Sequence, residues 1–365
     1  MIVSTRRARR TLTMVAVAAI STGSLAACGA NDTGGDDGDT ASGGGKKIAL
    51  LLPESQTTRY ESFDRPLFEA KVADLCADCE VVYFNADQDE AKQQQQVETA
   101  ITAEVDVMVL DPVNGASATS LVTSAQDAGI PVIAYDRFIE GADYYMSFDN
   151  QTVGELQAQA LVDALGDTGG IFMLNGAPTD PNAAQFKAGA HSVIDASGLT
   201  ILAEFDNPDW SPGNAQSFVT DQLSSFDPSE IAGVYAANDG QAGGVIAALT
   251  GAGVTTVPPV TGQDAELAAI QRIVSGEQYM TVYKPYPIEA ETAAEVAVAV
   301  ANGDDVGTVG ETEVTDFEGV DSFIFDPIVV TQDNVGDTVV ADGLYAVEDI
   351  CTDEYADACT AAGLG

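Results

Sequence analysis

The chain has 365 residues, a hydrophobic fraction of 45% and a formal net charge of −43 at pH 7. Its length allows two domains of ordinary size, and its apolar content is ample for buried cores, which excludes a disordered protein. Because so acidic a surface repels nucleic acid and anionic lipid, the composition argues against DNA binding. Arginine and lysine are scarce, so one that lies near a strand end is a candidate functional residue.

The first 27 residues have the features of an export signal. Arginines cluster before an apolar stretch that is too short and wrongly flanked for a membrane span. The stretch ends in Leu25-Ala26-Ala27-Cys28, which is typical of a lipobox and predicts a lipid anchor at Cys28 on the extracytoplasmic side of the cell membrane. A plain signal peptidase site is the alternative, and both Sec and twin-arginine export stay open. Residues 28–45 are small and acidic, as in a flexible tether.

The remaining cysteines are Cys76, Cys79, Cys351 and Cys359. In an exported chain they predict disulfides, and we favour the local pairs Cys76–Cys79 and Cys351–Cys359 among the three pairings that are possible. A zinc site competes, but the second spacing does not suit one and the only histidine, His191, lies elsewhere. A redox motif is disfavoured because Cys76 follows a predicted helix instead of opening one.

Apolar runs alternate with helix-length stretches from residue 46 to about residue 340. The predicted strands are 47–52, 80–85, 105–110, 131–135, 144–148, 170–174, 200–205, 232–236, 258–261, 278–283 and 322–330. The predicted helices are 63–75, 89–103, 116–128, 152–165, 182–196, 241–249, 265–274 and 288–301. The alternation predicts an α/β fold of two doubly wound parallel-sheet lobes. A TIM barrel is the alternative, which the irregular strands after residue 140 disfavour.

Polar side chains follow several of these strands. Asp136 and Arg137 end one strand, Asn238 and Asp264 follow two others, and Lys284 closes a fourth. In open α/β sheets the ligand crevice lies outside the carboxyl ends of the strands. Carboxylates, amides and cations can hydrogen-bond a polyhydroxylated ligand but offer no obvious reaction chemistry. We therefore predict a sugar receptor without cofactor or metal, and not an enzyme.

Several sequence blocks over residues 46–345 resemble the ribose/galactose-type sugar-binding proteins of ABC transporters, and lean towards their xylose-binding branch. The blocks are Arg59-Tyr60, Ala134-Tyr135-Asp136-Arg137, Ser147-Phe148-Asp149-Asn150, Val153-Gly154-Glu155-Leu156-Gln157-Ala158, Asn238-Asp239, Ala242-Gly243-Gly244, Gly262-Gln263-Asp264-Ala265 and Met280-Thr281-Val282-Tyr283-Lys284-Pro285. The resemblance implies a type I periplasmic binding protein fold that closes on a monosaccharide, D-xylose first, and docks on a membrane permease. Glucose, galactose, arabinose or ribose types are the alternative ligands, and a monomer is expected.

The resemblance also implies the domain boundaries. The first lobe would hold residues 46–148 and 285–323, and the second lobe 149–284 and 324–350, with a disulfide-closed tail at 351–365. The hinge strands would be Asp149-Asn150, Lys284-Pro285 and Phe325-Asp326-Pro327.

The ligand-binding residues that we propose are Arg59, Tyr60, Asp136, Arg137, Asn182, Trp210, Asn238, Asp264 and Lys284. The arginines can direct two N–H donors onto adjacent hydroxyls, while the carboxylates accept and the asparagines do both. Trp210 and Tyr60 offer flat faces for a pyranose ring. As alternatives, Trp210 would be ordinary core and Arg59 would form a surface pair with Asp64. The family carries tryptophan where this chain has Tyr60.

Other functions remain open at this stage. A glycosidase could use Asp136 and Asp264 as acid and base. A sensor would share the fold and dock on a membrane signalling partner. A serine hydrolase elbow and phosphate-binding loops are absent from the sequence, and no helix-turn-helix precedes the α/β part. We assign no function to His191.

Overall fold

The computed structural model describes residues 45–304, 306, 307, 309 and 314–364. The export signal, Cys28 and the tether up to residue 44 lie outside the described residues. None of the helices in the described part is long and apolar enough to span a membrane.

The strands and helices are numbered in chain order. The strands are β1 Lys47–Leu52, β2 Glu80–Asn85, β3 Val107–Leu110, β4 Val132–Tyr135, β5 Tyr144–Phe148, β6 Gly169–Asn175, β7 Leu199–Asp206, β8 Ile231–Ala236, β9 Thr281–Tyr283, β10 Thr315–Phe317, β11 Val320–Phe325 and β12 Ile328–Val330. The helices are α1 Arg65–Leu75, α2 Glu90–Thr102, α3 Gly115–Asp127, α4 Asn150–Leu165, α5 Pro181–Ile194, α6 Pro212–Gln222, α7 Asp239–Gly251, α8 Leu267–Ser275, α9 Tyr286–Asn302, α10 Val347–Ile350 and α11 Ala356–Ala361.

The first lobe is built on a seven-stranded sheet of order β10-β11-β5-β4-β3-β1-β2. All neighbours pair in parallel except β10, which returns antiparallel to β11. Helices α1 and α9 pack on one face and α2 and α3 on the other. Because both faces are covered, β3 and β4 are apolar and buried at every position.

The second lobe is built on the parallel sheet β7-β6-β8, next to which lies the pair β9-β12. Helices α4 and α5 cover one face of the sheet, and α6 and α7 cover the other. The backbone crosses between the lobes where β5 leads to α4, β9 to α9 and β11 to β12. There Asp149 N donates to the carbonyl of Phe325 at 3.0 Å. The predicted fold class is confirmed, while the exact lobe boundaries stay a prediction.

Residues 258–261 do not form the regular strand that we predicted. The segment lies between β8 and β9 but makes only isolated bridges, from Val260 to Val234 and from Gln263 to Val282. The ladder is interrupted because the Thr261 hydroxyl, instead of a backbone carbonyl, accepts from Ala236 N at 3.0 Å.

Two further expectations near the lobe edges were wrong. The segment 322–330 splits into β11 and β12, since Pro327 lacks the N–H that a continuous ladder needs. Neither β10 nor β12 pairs in parallel. Helix α6, which the sequence did not predict, begins after Trp210, with Ser211 as its N-cap and Pro212 in its first turn. A serine followed by proline is a helix-start signal that we did not use.

Both local disulfides are present, Cys76–Cys79 and Cys351–Cys359. Cys76 directly follows α1, so the first bridge closes a helix end as predicted. The second bridge lies in the C-terminal segment, where Ile350 and Cys359 pack with Ile270 and Ile273 of α8. The tail therefore belongs to the core of the second lobe.

Candidate functional site

A small cavity lies between the two lobes, at the carboxyl ends of their strands. Its lining residues are Thr57, Arg59, Tyr60, Asp136, Arg137, Asp180, Asn182, Phe186, Trp210, Asn238, Gln263, Asp264 and Lys284. Every residue that the sequence proposed for ligand binding is in this set. The space between these side chains is far smaller than that of a typical ligand pocket, so it suits only a small ligand.

Sequence reasoning missed Thr57, Asp180, Phe186 and Gln263. Phe186 lies one turn beyond Asn182 on α5 and therefore on the same helix face, a signal that was available. Gln263 stands beside Asp264 in a block that we had singled out. Thr57 and Asp180 have no marker in the sequence beyond loop composition.

Residues of the first lobe reach the cavity from the ends of β1 and β4. Strand β1 lies between β2 and β3, the topological switch point at which doubly wound sheets open a crevice. Tyr60 opens a π-helical turn, Tyr60–Asp64, and such turns are frequent at functional sites. Asp136 and Arg137 directly follow β4.

The guanidinium of Arg59 contacts carboxylates on several sides. Its Nε donates to Asp64 at 2.9 Å, Nη1 to Asp136 at 3.1 Å and Nη2 to Glu289 at 2.6 Å. The Arg59–Asp64 pair is therefore buried and is not the surface pair that we had considered. Four of its five N–H groups donate to carboxylates, so Arg59 mainly orients Asp136 and keeps one Nη1 N–H for a ligand.

Arg137 is less fully engaged than Arg59. Nη1 donates to the carbonyl of Pro112 at 3.1 Å and Nη2 to the Tyr60 hydroxyl at 3.4 Å. Nε lies 2.9 Å from Asp180 Oδ2, but it is not aligned for a hydrogen bond, so the contact is an ion pair. Each Nη keeps one N–H for a ligand.

Lys284 follows β9 at a crossing between the lobes. Its Nζ lies 3.2 Å from Asp264 Oδ1 and 3.8 Å from Asp136 Oδ1, with the rings of Phe148 and Phe186 each 5.7 Å away. Burial lowers the pKa of Lys284, but the two carboxylates outweigh it and the net pKa is raised. Lys284 is therefore a buried cation that links carboxylates from both lobes.

The carboxyl groups of Asp136 and Asp180 differ in the direction of their pKa shifts. Burial raises the pKa of Asp136, but Lys284, Arg59 and Arg137 outweigh burial and lower the pKa to about 2. Burial keeps the pKa of Asp180 raised despite Arg137. An ionised Asp136 could serve a glycosidase only as the base and not as the general acid.

Helix N-termini bring the second-lobe amides to the cavity. Asn238 caps α7, with its Oδ1 accepting from Gln241 N at 3.0 Å. Asn182 lies in the first turn of α5, and its Nδ2 donates across the cleft to the carbonyl of Asp136 at 3.0 Å. Both side chains thus use one amide atom for the protein and leave the other for a ligand.

Aromatic rings form one wall of the cavity. The indole of Trp210 is 3% exposed, and its ring centroid lies 6.3 Å from that of Phe186 in an edge-to-face arrangement. A Cβ at Gly176 would lie 2.0 Å from Trp210 Cη2, so only glycine lets the indole adopt this position. Trp210 is both a core residue and part of the cavity wall, and the two interpretations were not alternatives.

Left-handed backbone recurs at the cavity. Asp136, Trp210 and Asp264 have φ values of 56°, 62° and 95°, which side-chain-bearing residues rarely adopt. Such conformations cost on the order of 1–3 kcal/mol each and cluster at ligand sites.

Some buried polar atoms of the cavity have no hydrogen-bond partner among the described residues. They include Asn182 Oδ1 and Gln263 Oε1. Asp264 Oδ1 likewise accepts no hydrogen bond, although Lys284 lies 3.2 Å away. Buried polar atoms are almost always paired in folded proteins, so these acceptors are available to donors from a ligand or from ordered water. Among the described residues, no group of acidic, cysteine or histidine side chains has the geometry to hold a metal ion.

His191 lies apart from the cavity, on α5. Its Nδ1 faces Asp195 and its Nε2 faces Glu204, each at 3.2 Å.

Two α/β lobes that close on a polar cavity define the type I periplasmic binding proteins. Residues 48–305 match the family model of the periplasmic binding protein domain. The chain therefore belongs to the periplasmic binding protein family. The family members that it resembles are binding proteins and receptors, not enzymes.

Three individual proteins are similar to this chain over most of its length. The D-xylose-binding periplasmic protein of Escherichia coli K12 is 38% identical over 82% of this chain and 91% of its own length. The multiple sugar-binding periplasmic receptor ChvE of Rhizobium radiobacter is 33% identical over 72% of this chain and 81% of its own. A carbohydrate transporter solute-binding protein from Chloroflexus aurantiacus, solved with D-glucose, has a TM-score of 0.74 and 28% identity, covering 83% of this chain and 98% of that one.

Proposed function

We propose that the protein captures a monosaccharide between its lobes as the extracytoplasmic binding component of a sugar ABC transporter, with D-xylose as the first candidate. The observation that carries this proposal is the set of buried acceptors that receive no hydrogen bond from the described residues, Asn182 Oδ1, Gln263 Oε1 and Asp264 Oδ1. A sugar ring presents hydroxyl donors on several sides, so one monosaccharide can pair with all of them.

The aromatic wall supports a pyranose. The flat faces of Trp210 and Phe186 are apolar and suit the C–H side of a sugar ring, while polar groups on the remaining walls suit its hydroxyls. The small size of the cavity favours one sugar ring over an oligosaccharide.

The mechanism that we propose is ligand-linked closure about the hinge strands. The first lobe contributes Asp136 and Arg137, and the second lobe contributes Asn182, Asn238 and Asp264. A sugar that hydrogen-bonds both sets favours the closed arrangement over an open one. The closed protein would then dock on a membrane permease that a separate ATPase drives.

The choice of sugar rests on relatives, and these differ in ligand. Calorimetry with D-xylose, D-glucose, D-galactose, L-arabinose and D-ribose at equal concentration ranks the candidates directly. We expect D-xylose to bind most tightly. A tighter aldose would change the ligand but not the class, whereas no binding to any aldose would contradict sugar capture.

The lipid anchor is part of the same proposal and rests on the sequence around Cys28. We expect Cys28→Ala to release the protein into the medium or to leave it unprocessed. Processed, membrane-bound Cys28→Ala protein would disprove the anchor. Loss of sugar uptake, but not of sugar-directed movement, on deleting the gene would separate transport from chemosensing.

A further inference from the structure

Asp180 joins two parts of the second lobe, the start of α5 and the indole of Trp210. It precedes α5, and its side chain is 3% exposed. Oδ1 accepts from Asn182 N at 2.8 Å, which caps the helix. Oδ2 accepts from the indole Nε1 of Trp210 at 3.1 Å. One carboxylate therefore fixes the start of α5 and the orientation of the indole on the cavity wall.

The same carboxylate reaches the first lobe. Asp180 Oδ2 lies 2.9 Å from Nε of Arg137, and both side chains are almost fully buried. Next to this contact, Gly115 N of the first lobe donates to the carbonyl of Thr179 at 3.1 Å. These contacts join the lobes beside the cavity without any ligand atom.

We propose that Asp180 is a positioning residue that clasps the lobes, holding Arg137 and Trp210 in the geometry in which they receive the sugar. The inference rests on the proposed function and extends it to the control of closure. When the lobes separate, Arg137 and Asp180 lose their mutual attraction and regain hydration, and the clasp requires that the lost attraction outweigh the regained hydration. The clasp therefore favours closure before the sugar arrives, and the sugar completes a partly assembled site.

Asp180→Asn is the variant that isolates this role, because asparagine keeps the size and one acceptor oxygen but loses the charge that Arg137 faces. Losing a hydrogen bond or ion pair to a charged group is expected to weaken sugar binding about tenfold to a hundredfold. Since Trp210 is the only tryptophan, acrylamide quenching of its fluorescence in sugar-free protein reports how open the cleft is. We expect stronger quenching in the variant.

Asp89→Asn is the matched control. Asp89 caps α2 by accepting from Lys92 N, is exposed and does not line the cavity. It should change neither sugar affinity nor quenching, whereas Asp180→Asn should change both. Wild-type affinity together with wild-type quenching in Asp180→Asn would overturn the clasp.

A double-mutant cycle with Arg137→Gln separates positioning from a general loss of structure. A clasp predicts that the two substitutions together cost clearly less than the sum of their separate effects, while additive effects would contradict it. If Asp180→Asn does not fold, Arg137→Gln alone should still increase quenching in sugar-free protein, and unchanged quenching would overturn the proposal. Wild-type protein that binds no sugar would contradict the proposed function, but the quenching comparison would still test the clasp.

Discussion

At the scale of single residues, charge pairs that the sequence did not predict orient the side chains of the cavity. The cations Arg59, Arg137 and Lys284 each contact at least one carboxylate, and all three are buried. Buried ions are tolerated only when they are paired and hydrogen-bonded. The pairs therefore hold the site charged and oriented while leaving selected atoms for a ligand.

Replacing Arg137 by lysine tests whether its planar shape matters. Lysine keeps the charge but cannot contact Pro112, Tyr60 and Asp180 simultaneously from one rigid group. We expect sugar affinity to fall about tenfold or more. Calorimetry measures the loss, and Arg65→Lys is the control, because Arg65 pairs with Glu61 and Glu69 on an exposed helix face. Equal affinity in both variants would remove Arg137 from the site.

His191 provides a pH-dependent contribution to stability. Burial lowers the pKa of His191, but the hydrogen bonds to Glu204 and Asp195 outweigh it and raise the pKa above 6.5. The stabilisation is fully present below the unfolded pKa of 6.5 and is lost as pH rises through the folded pKa. Glu204 has a lowered pKa, since Lys187 and His191 outweigh the effect of burial, so its stabilisation is present above 4.5 and is lost as pH falls.

Both contributions are therefore present together between about pH 4.5 and 6.5. We expect His191→Gln to lower the free energy of unfolding by no more than about 1 kcal/mol at pH 6 and by less at pH 8.5. Urea unfolding of both proteins at these pH values measures the difference. Wild-type and variant must both be measured at each pH, because Glu266 also titrates in this range. Burial and Asp264 raise the pKa of Glu266 to about 7. An equal difference at both pH values would show that His191 acts only through packing.

At the scale of elements, helices α4 and α5 place one wall of the cavity by unusually close packing. A Cβ at Gly154 would lie 2.0 Å from the carbonyl oxygen of Phe186, and one at Gly189 would lie 2.1 Å from that of Gln151. Glycine on each helix thus lets the partner backbone approach. The position of Phe186 in the cavity depends on this approach.

Gly154→Ala tests the packing. The added methyl group must push α5 away, which we expect to destabilise the protein by about 1–3 kcal/mol and to weaken sugar binding through displacement of Phe186. The control is Gly251→Ala at the end of α7, where a Cβ would meet nothing within 4 Å. There we expect stabilisation of about 0.4–1 kcal/mol. Thermal unfolding and calorimetry measure both effects, and a neutral Gly154→Ala would refute the close-packing argument.

At the scale of the whole molecule, the structure has the closed arrangement. Asp136 and Arg137 of the first lobe and Asp264 of the second are only 2–3% exposed. A sugar cannot enter a cavity that is closed to this degree, so an open form must precede binding. The hinge is compatible with rotation because few backbone segments connect the lobes.

Small-angle X-ray scattering tests this closure. We expect saturating sugar to reduce the radius of gyration and to quench or shift the emission of Trp210. Sugar at a hundred times its dissociation constant should also add roughly 2.7 kcal/mol to the free energy of unfolding. Binding that calorimetry detects without any change in scattering would contradict hinge closure and favour a preformed, closed receptor with local gating.

The sequence by itself determined the fold class and the identity of many cavity residues. Strand and helix periodicities are local, and polar residues at the ends of apolar strands are brought to one edge by parallel pairing alone. Asp136, Asn238 and Asp264 could therefore be proposed before any coordinates were known.

Only the tertiary structure decided how these residues are used. Which carboxylate faces Arg59, why Asp180 touches both lobes, and which oxygens lack partners all depend on contacts between distant segments. The left-handed backbone at Trp210 and the close approach at Gly154 are likewise stabilised by packing from elsewhere in the chain. Interactions of this kind are set by three-dimensional distances and burial, for which neighbouring residues in the sequence carry no signal.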